Sequence, residues 1–191
     1  MKPLGLFLLA SLSACGYQLA GTGATVPPGA RTIGIQLFNS HVRETGLEVH
    51  LRRAVEEEFR RRGALRVVPP AEADLVLSGD IRRFTDVPVA FSATDEAVQY
   101  QTVVQVGIRL IERATGHVLH ETKTLQESQD FGAETAVVIT SSPRFQRGTI
   151  DGRDLANLTN VQIGEARRQE AETELLDTLA RDIYEQAMEG F

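Results

Sequence analysis

Cysteine is almost missing from this sequence: Cys15 is the only one in 191 residues. A lone thiol forms no disulfide and no thiolate metal set within one chain. The familiar catalytic and metal patterns are missing as well. The histidines, His41, His50, His117 and His120, fall in no HExxH arrangement. His117 and His120, flanking a hairpin start, point to opposite faces. No serine sits in GxSxG. Gly21-Thr22-Gly23 lacks the strand-to-helix setting of a phosphate loop, and Asp151-Gly152-Arg153-Asp154 falls far short of a calcium loop. Acids are plentiful, yet no spacing singles out a pair for acid–base work. We expect no catalytic residue, no metal site and no dissociable cofactor. A basic excess is missing too: the formal net charge is −6, which disfavours nucleic acid as a partner. There is no internal repeat and no heptad pattern. After Cys15 no apolar run approaches the roughly 20 residues that a membrane-spanning helix needs.

What is present begins at the start of the chain. Met1-Lys2-Pro3 is followed by an apolar stretch from Leu4 to Leu12 and then by Ser13-Ala14-Cys15. A basic start, a short apolar core and small residues before a cut define a secretory leader. Leu12-Ser13-Ala14-Cys15 also resembles the lipobox of bacterial lipoproteins. That resemblance implies a signal peptide over 1–14, removal of which takes Lys2 and leaves the mature chain one unit more acidic. It also implies a covalent acyl lipid on Cys15. One acyl chain binds a membrane only marginally, whereas two or three on one residue hold it durably. Gly16 follows the cysteine; in the resembled class an aspartate there commonly retains the protein at the inner membrane. We therefore expect an outer-membrane, lipid-anchored protein working on the periplasmic face.

Residues 15–30, with Gly21, Gly23, Pro27, Pro28 and Gly29, read as a lipidated tether. Residues 31–191 then form a single α+β domain, long enough and, at 42% apolar over the whole chain, greasy enough for a real core. Ile33, Ile35 and Leu37 alternate in a first strand ended by Asn39-Ser40. From about Val42 to Arg62 the period becomes helical, with Leu47, Leu51, Val55 and Phe59 in one stripe and Gly63 as a left-handed cap. Glu56-Glu57-Glu58 before Arg60-Arg61-Arg62 places acids ahead of arginines at helical spacing, the pattern of a solvated helix face. Leu65 to Val68 begins a return strand, interrupted by Pro69-Pro70 and resumed at Asp74 to Phe84, with Leu75, Leu77, Gly79, Ile81 and Arg83 on one face. A loop containing Pro88 comes next. The long strand from Val98 carries Thr102, Val104, Val106, Ile108 and Leu110 on one face and Gln99, Gln101 and Gln105 on the other. Gly116 turns the chain into a more polar partner, Val118 to Phe131, expected near a sheet edge. Residues 132–163 match no element. A second helical stripe, Ala171, Leu175, Leu179, Ile183 and Ala187, runs within Gly164–Met188. Residues 151–191 carry ten acids against four bases, so the acidity is mostly C-terminal. The order is β-α-β-β-β-α: a two-layer sandwich, with a four-stranded mixed sheet and two helices on one face.

In succession, Cys15-Gly16-Tyr17-Gln18-Leu19, the first strand ending in Asn39-Ser40, the amphipathic helix, Ala73-Asp74-Leu75-Val76-Leu77-Ser78-Gly79-Asp80-Ile81, the Tyr100-Gln101 strand and the acidic last helix resemble the LptE-type lipopolysaccharide-assembly lipoproteins. Each motif is weak alone; their order over nearly the whole mature chain carries the resemblance. It implies a non-enzymatic outer-membrane lipoprotein that plugs and helps assemble the barrel of LptD, one to one, and takes part in delivering lipopolysaccharide to the surface. The family's contacts with lipopolysaccharide involve basic and aromatic residues near loops at one sheet end. The 85–97 loop here holds Asp86, Asp95 and Glu96 and no Lys or Arg, so Arg82, Arg83, Arg144 and Arg147 remain as candidate contacts. The alternative is a lipoprotein that pilots another outer-membrane complex or binds a soluble ligand; it shares every feature except the family pattern.

The anchor carries the first expected outcome. Cys15→Ala abolishes acylation and leaves uncut precursor or unanchored protein, checked by palmitate labelling and membrane flotation. Mature variant still floating through its own acyl chain contradicts the lipobox reading.

Overall fold

The computed structural model describes residues 27–188 except 28, 94, 96 and 133–151; for 152–163 it describes the backbone only. The leader, Cys15, most of the tether, and Arg144 and Arg147 lie outside the described residues. The elements are β1 (Thr32–Ile35), β2 (Asn39–Ser40), α1 (Leu47–Arg62), β3 (Arg66–Val67), β4 (Leu75–Phe91), β5 (Ala97–Glu112), β6 (Val118–Gly132) and α2 (Gly152–Met188). This is an α+β fold of two helices against a mixed open sheet ordered β3-β1-β4-β5-β6, with β2 also on β4. The sheet has six strands rather than four, for reasons that lie in particular residues.

β3 and β4 are two strands, not one interrupted strand. β3 pairs with β1 through Thr32 and Ile33, and β4 pairs with the other side of β1 through Ile33 to Ile35, both in parallel. The chain crosses β1 at the Pro69-Pro70 turn, where Glu72 N–H donates to the Pro69 carbonyl at 2.9 Å. Gly34 is the point of passage: a Cβ there would lie 2.4 Å from Pro70 Cα. Asp74 then ties the starts of both strands together. Its carboxylate accepts from Arg31 N–H at 2.9 Å and from the Thr32 hydroxyl at 2.8 Å. The backbone bond from Arg31, with the Thr32 hydroxyl, holds its pKa below the usual carboxylate value.

Asn39 and Ser40 do not end the first strand; they pair with Asp80 and Ile81 of β4 as a strand of their own. Between Ile35↔Leu77 and Asn39↔Asp80 the first chain spends one residue more than β4. One extra residue reverses the facing of the side chains after it. Leu37, expected inside, is 53% exposed, and Phe38 is buried in its place. The Phe38 ring fills the notch over Gly79, where a Cβ would come within 2.7 Å of it and 2.5 Å of the Gly107 carbonyl. β4 bulges beside this point: Ile81 pairs with Val106, but Arg83 pairs with Gln105. Arg82 is the extra residue, so Phe84 continues the buried face and Arg83 moves to the opposite one, contrary to simple alternation.

The stripes behave as their spacing predicts. Leu47, Leu51, Val55 and Phe59 of α1 and Ala171, Leu175, Leu179, Ile183 and Ala187 of α2 are buried, most of them in one cluster with Leu75, Leu77, Ile81, Val104, Val106, Ile108 and Leu110. Gly63 caps α1 at φ 71°, donating to the Phe59 carbonyl. The helix begins at Leu47, later than the apolar period implied, behind Gly46 at φ 89°. The charged block of α1 is only partly a solvated face. Glu58 is 4% exposed and accepts from Arg62 Nε at 2.8 Å and from Arg61. Burial pushes its pKa up, but the arginine bonds outweigh that and hold it below the ordinary value. Arg62 also stacks on Tyr184 of α2, 5.2 Å from the ring centroid, and Tyr184 meets Phe59 edge-on at 4.8 Å.

Two stretches read as irregular are regular. β4 runs on to Phe91, so Thr85 to Phe91 belong to a strand, with Pro88 opposite Tyr100. Proline is tolerated because β2, the last strand neighbour on that side among the described residues, ends at Ser40, opposite Ile81. α2 begins at Gly152, in a stretch whose Gly, Asn and Thr content lowers helix propensity and masks the period. At 37 residues and about 1.5 Å each, α2 reaches roughly 55 Å. That matches β4, whose 17 residues at about 3.3 Å span a similar length. α1, at 16 residues, covers less than half of it.

Leu51→Asp and Leu179→Asp each bury an unpaired carboxylate at the helix–sheet contact. Each should cost at least about 4 kcal/mol and lower the Tm by about 10 °C or more, measured by thermal circular dichroism. A wild-type Tm in either variant would show that these stripes do not form the core.

Candidate interaction surface

The helix-free face of the β4–β5–β6 ribbon is polar. Gln101 Nε2 donates to Asp130 at 2.9 Å, Gln99 Nε2 to the same carboxylate at 3.2 Å, and Gln105 Nε2 to Gln126 at 2.5 Å. Gln99, Gln101 and Gln105 each spend one amide N–H across the strands, leaving a second N–H and the amide oxygen to an outside partner. Among the proposed contacts, Arg82 lies over Gly107, with a guanidinium nitrogen 2.7 Å from where a Cβ would be, and donates to the Lys123 carbonyl at 2.6 Å. It is a strand-to-strand brace as well as an exposed cation. Arg83, its neighbour at the bulge, is exposed and makes no ion pair among the described residues. The structure brings these two together; Arg144 and Arg147 lie outside the described residues.

Beyond Ile81 the ribbon runs past β2 and past α1. Val87, Val89 and Phe91 are 43%, 45% and 58% exposed, a concentration of apolar surface at one strand end. On the helix side of the same end, Tyr100 and Phe131 stack with centroids 5.6 Å apart. The turn joining β4 to β5 includes Asp95 at φ 60°, and no Lys or Arg occurs from residue 84 to residue 108. This end offers apolar and aromatic contact and no cation of its own.

Where the ribbon leaves the helix layer, one arginine gathers three elements. Arg168 of α2 donates through Nε to Asp86 of β4 at 2.9 Å and through a terminal nitrogen to Glu44, ahead of α1, at 3.1 Å. Asp86 also accepts from the Thr102 hydroxyl of β5 at 2.7 Å, and Thr102 is buried. The Arg168 guanidinium lies over the Phe84 ring at 6.0 Å. The bond to Asp86, aided by Glu44, raises its pKa further above neutrality against the opposing effect of burial. Sequence reasoning missed Arg168, Asp86 and Glu44. Nothing in their spacing, 124 residues apart at the extreme, marks them as neighbours.

The seam between β6 and α2 is polar too. Gln129 Nε2 donates to Glu174 at 3.0 Å, and the Thr122 hydroxyl to Gln186 at 3.2 Å. Opposite Val104, Glu127 lies on the helix side of β6 and hydrogen-bonds Asp182. Sharing a proton with that carboxylate, in a half-buried setting, pushes Glu127 up to about 7. A cleft of about 250 Å³ opens beside the seam, bordered by Asp130, Phe131, Arg167, Glu170 and Glu174. It contains no nucleophile paired with a base. Among the described residues no cluster of three or more His, Cys, Asp or Glu side chains could hold a metal, and no helix is long and apolar enough to cross a membrane.

A short helix and a long one on one face of a mixed sheet, with a polar opposite face and an apolar strand end among the described residues, define a two-layer α+β domain. The family model described as LptE, lipopolysaccharide-assembly, matches residues 30–187, and the chain belongs to that family. No curated protein matches it in sequence. Its fold is similar to those of several solved proteins. One is an uncharacterized lipoprotein B from Nitrosomonas europaea, at 14% identity over 89% of this chain and 91% of that one, with a TM-score of 0.45. Another is a minor lipoprotein from Acinetobacter baumannii, at 12% identity over 84% and 93%, with a TM-score of 0.44. A third, from Xanthomonas campestris, is 10% identical over 90% and 92%, with a TM-score of 0.47. Likeness at this level carries nothing about function.

The Glu127–Asp182 pair makes stability pH-dependent with a definite sign. A carboxyl whose folded pKa lies above its unfolded value of 4.5 binds its proton more tightly in the folded state. Its contribution is complete below that unfolded value and is lost as pH rises through about 7. Glu127→Gln should therefore gain stability over wild type between pH 5 and pH 8, on the order of 1 kcal/mol, in urea titrations across that range. A wild-type-minus-variant difference independent of pH would show that the two carboxyls share no proton.

Proposed function

We propose that this protein is an outer-membrane lipoprotein, anchored through acyl chains on Cys15, that plugs and helps assemble an LptD-type β-barrel and takes part in lipopolysaccharide delivery. The observation that carries the reading is membership of the lipopolysaccharide-assembly family over residues 30–187. That family is a non-catalytic lipoprotein family, in keeping with a role carried out by surfaces. Physical features favour the same reading. A lipid tether confines the domain to a membrane surface and raises its effective concentration toward a partner embedded there. The ribbon face away from the helices, with Gln101, Gln105, Gln126 and Asp130 already paired across strands, presents largely hydrogen-bonded polar groups to a water-lined wall. Of the two arginines that are described, Arg83, exposed and unpaired among the described residues, is better placed than Arg82 to meet a lipid phosphate. Arg82, Arg144 and Arg147 complete the proposed set.

Affinity isolation of the acylated protein from detergent-solubilised outer membrane tests this directly. It should yield one large barrel protein in one-to-one amount, and depletion should lower both barrel level and surface lipopolysaccharide. Isolation of a different outer-membrane complex, with both quantities unchanged on depletion, would make this a pilot lipoprotein instead.

A further inference from the structure

The ribbon end gathers three exposed large apolar side chains, Val87, Val89 and Phe91. Past Ile81, β4 has β5 on one side and, among the described residues, no strand on the other. α1 does not reach it: its first residue, Leu47, lies beside the level of α2 marked by the His50–Glu172 contact at 3.6 Å. Phe84 packs against the core cluster; the polar ties described between this stretch of β4 and the helix layer converge on Arg168. Its guanidinium joins Asp86 at 2.9 Å and Glu44 at 3.1 Å, approaches Glu165 at 3.7 Å and covers the Phe84 ring. Only 22% of the side chain is exposed, and Glu44 and Asp86 are 36% and 27% exposed. The planar fork of arginine suits this task, because it binds two carboxylates from different elements in fixed geometry. Without it, two acids from separate elements face each other across the junction.

We propose that Arg168 is a positioning residue: it sets the pose of distal β4 against α2 beyond the reach of α1, and recognition of the barrel by that ribbon depends on it although it need not touch the barrel. The second half of this statement rests on the proposed function; the first does not. The clamp acts by preorganisation. A ribbon held in one pose binds without first being ordered, whereas a loosened one binds only through the fraction of molecules in the right pose.

The experiment compares the full acylated chain in detergent with Arg168→Ala, Arg168→Lys and the triple variant Arg168→Ala/Glu44→Gln/Asp86→Asn, which removes the clamp and the leftover like charges together. Hydrogen exchange is read separately over residues 75–81 and 83–91. In Arg168→Ala and the triple variant, exchange over 83–91 should rise about tenfold or more while 75–81 stays at wild-type protection. Lysine, a point charge without the fork, should restore part of the difference. A rise shared equally by both segments, or none, would reduce Arg168 to ordinary stabilisation and overturn the proposal. In the same preparations, the barrel recovered with Arg168→Ala should fall about tenfold, with partial recovery for lysine. Equal recovery from wild type and Arg168→Ala would overturn the dependence of recognition on the clamp. If wild type itself recovers no barrel, the proposed function fails, and exchange alone then decides whether the clamp exists.

Discussion

The continuous pairing of β4 with β5 is what the other elements depend on. Their register runs from Leu75↔Glu112 to Phe91↔Ala97, and it supplies a surface long enough to receive both helices. Its near half lays Leu75, Leu77, Ile81, Val106, Ile108 and Leu110 against α1 and α2. Burial of that apolar face is the main favourable term available to a domain of this size. Its far half has the same backbone bonds but a different cover: α2 and no α1. A strand ladder propagates rigidly, so surplus length becomes a projecting ribbon rather than a loop.

Two irregularities occur where near half meets far half. The first chain carries one extra residue before Asn39, and β4 carries one at Arg82. Each bulge shifts the facing of the residues beyond it, and between them they bury Phe38 over Gly79 and turn Arg83 outward. Bulges accentuate twist and bend a strand away from its neighbours. Arg168, Asp86 and Glu44 meet a few residues further along β4.

Charge is divided by face rather than spread evenly. The α1–α2 seam neutralises its acids locally, Glu58 by Arg61 and Arg62 and Glu56 by Arg60. The bare ribbon face keeps Arg82 and Arg83 beside a row of paired amides. Glu127 and Asp182 leave one seam with two acids and a shared proton, so the β6–α2 contact is the most pH-sensitive joint described.

Much of this was legible in the residues themselves. Both helical stripes, the Gly63 cap, the Gly116 turn, the buried face of β5 and the edge position of β6 follow from period, side-chain volume and backbone freedom, which act over a few residues. Ala73 to Ile81 was legible as a pattern, and the structure explains its parts: Asp74 binds β1, Gly79 receives Phe38, and Asp80 pairs with Asn39. What tertiary structure alone decided is the sheet's strand count, the split of β3 from β4 around β1, the reversals at Leu37 and Arg82, and the extension of β4 through Pro88. It also decided the meeting of Glu44, Asp86 and Arg168. Each depends on a partner far away in the chain: a bulge exists only relative to the strand opposite, a proline is tolerated only where a neighbouring strand has ended, and the Arg168 ion pairs form only when separate elements converge. Local sequence encodes period and propensity; it holds no record of which distant strand will lie alongside.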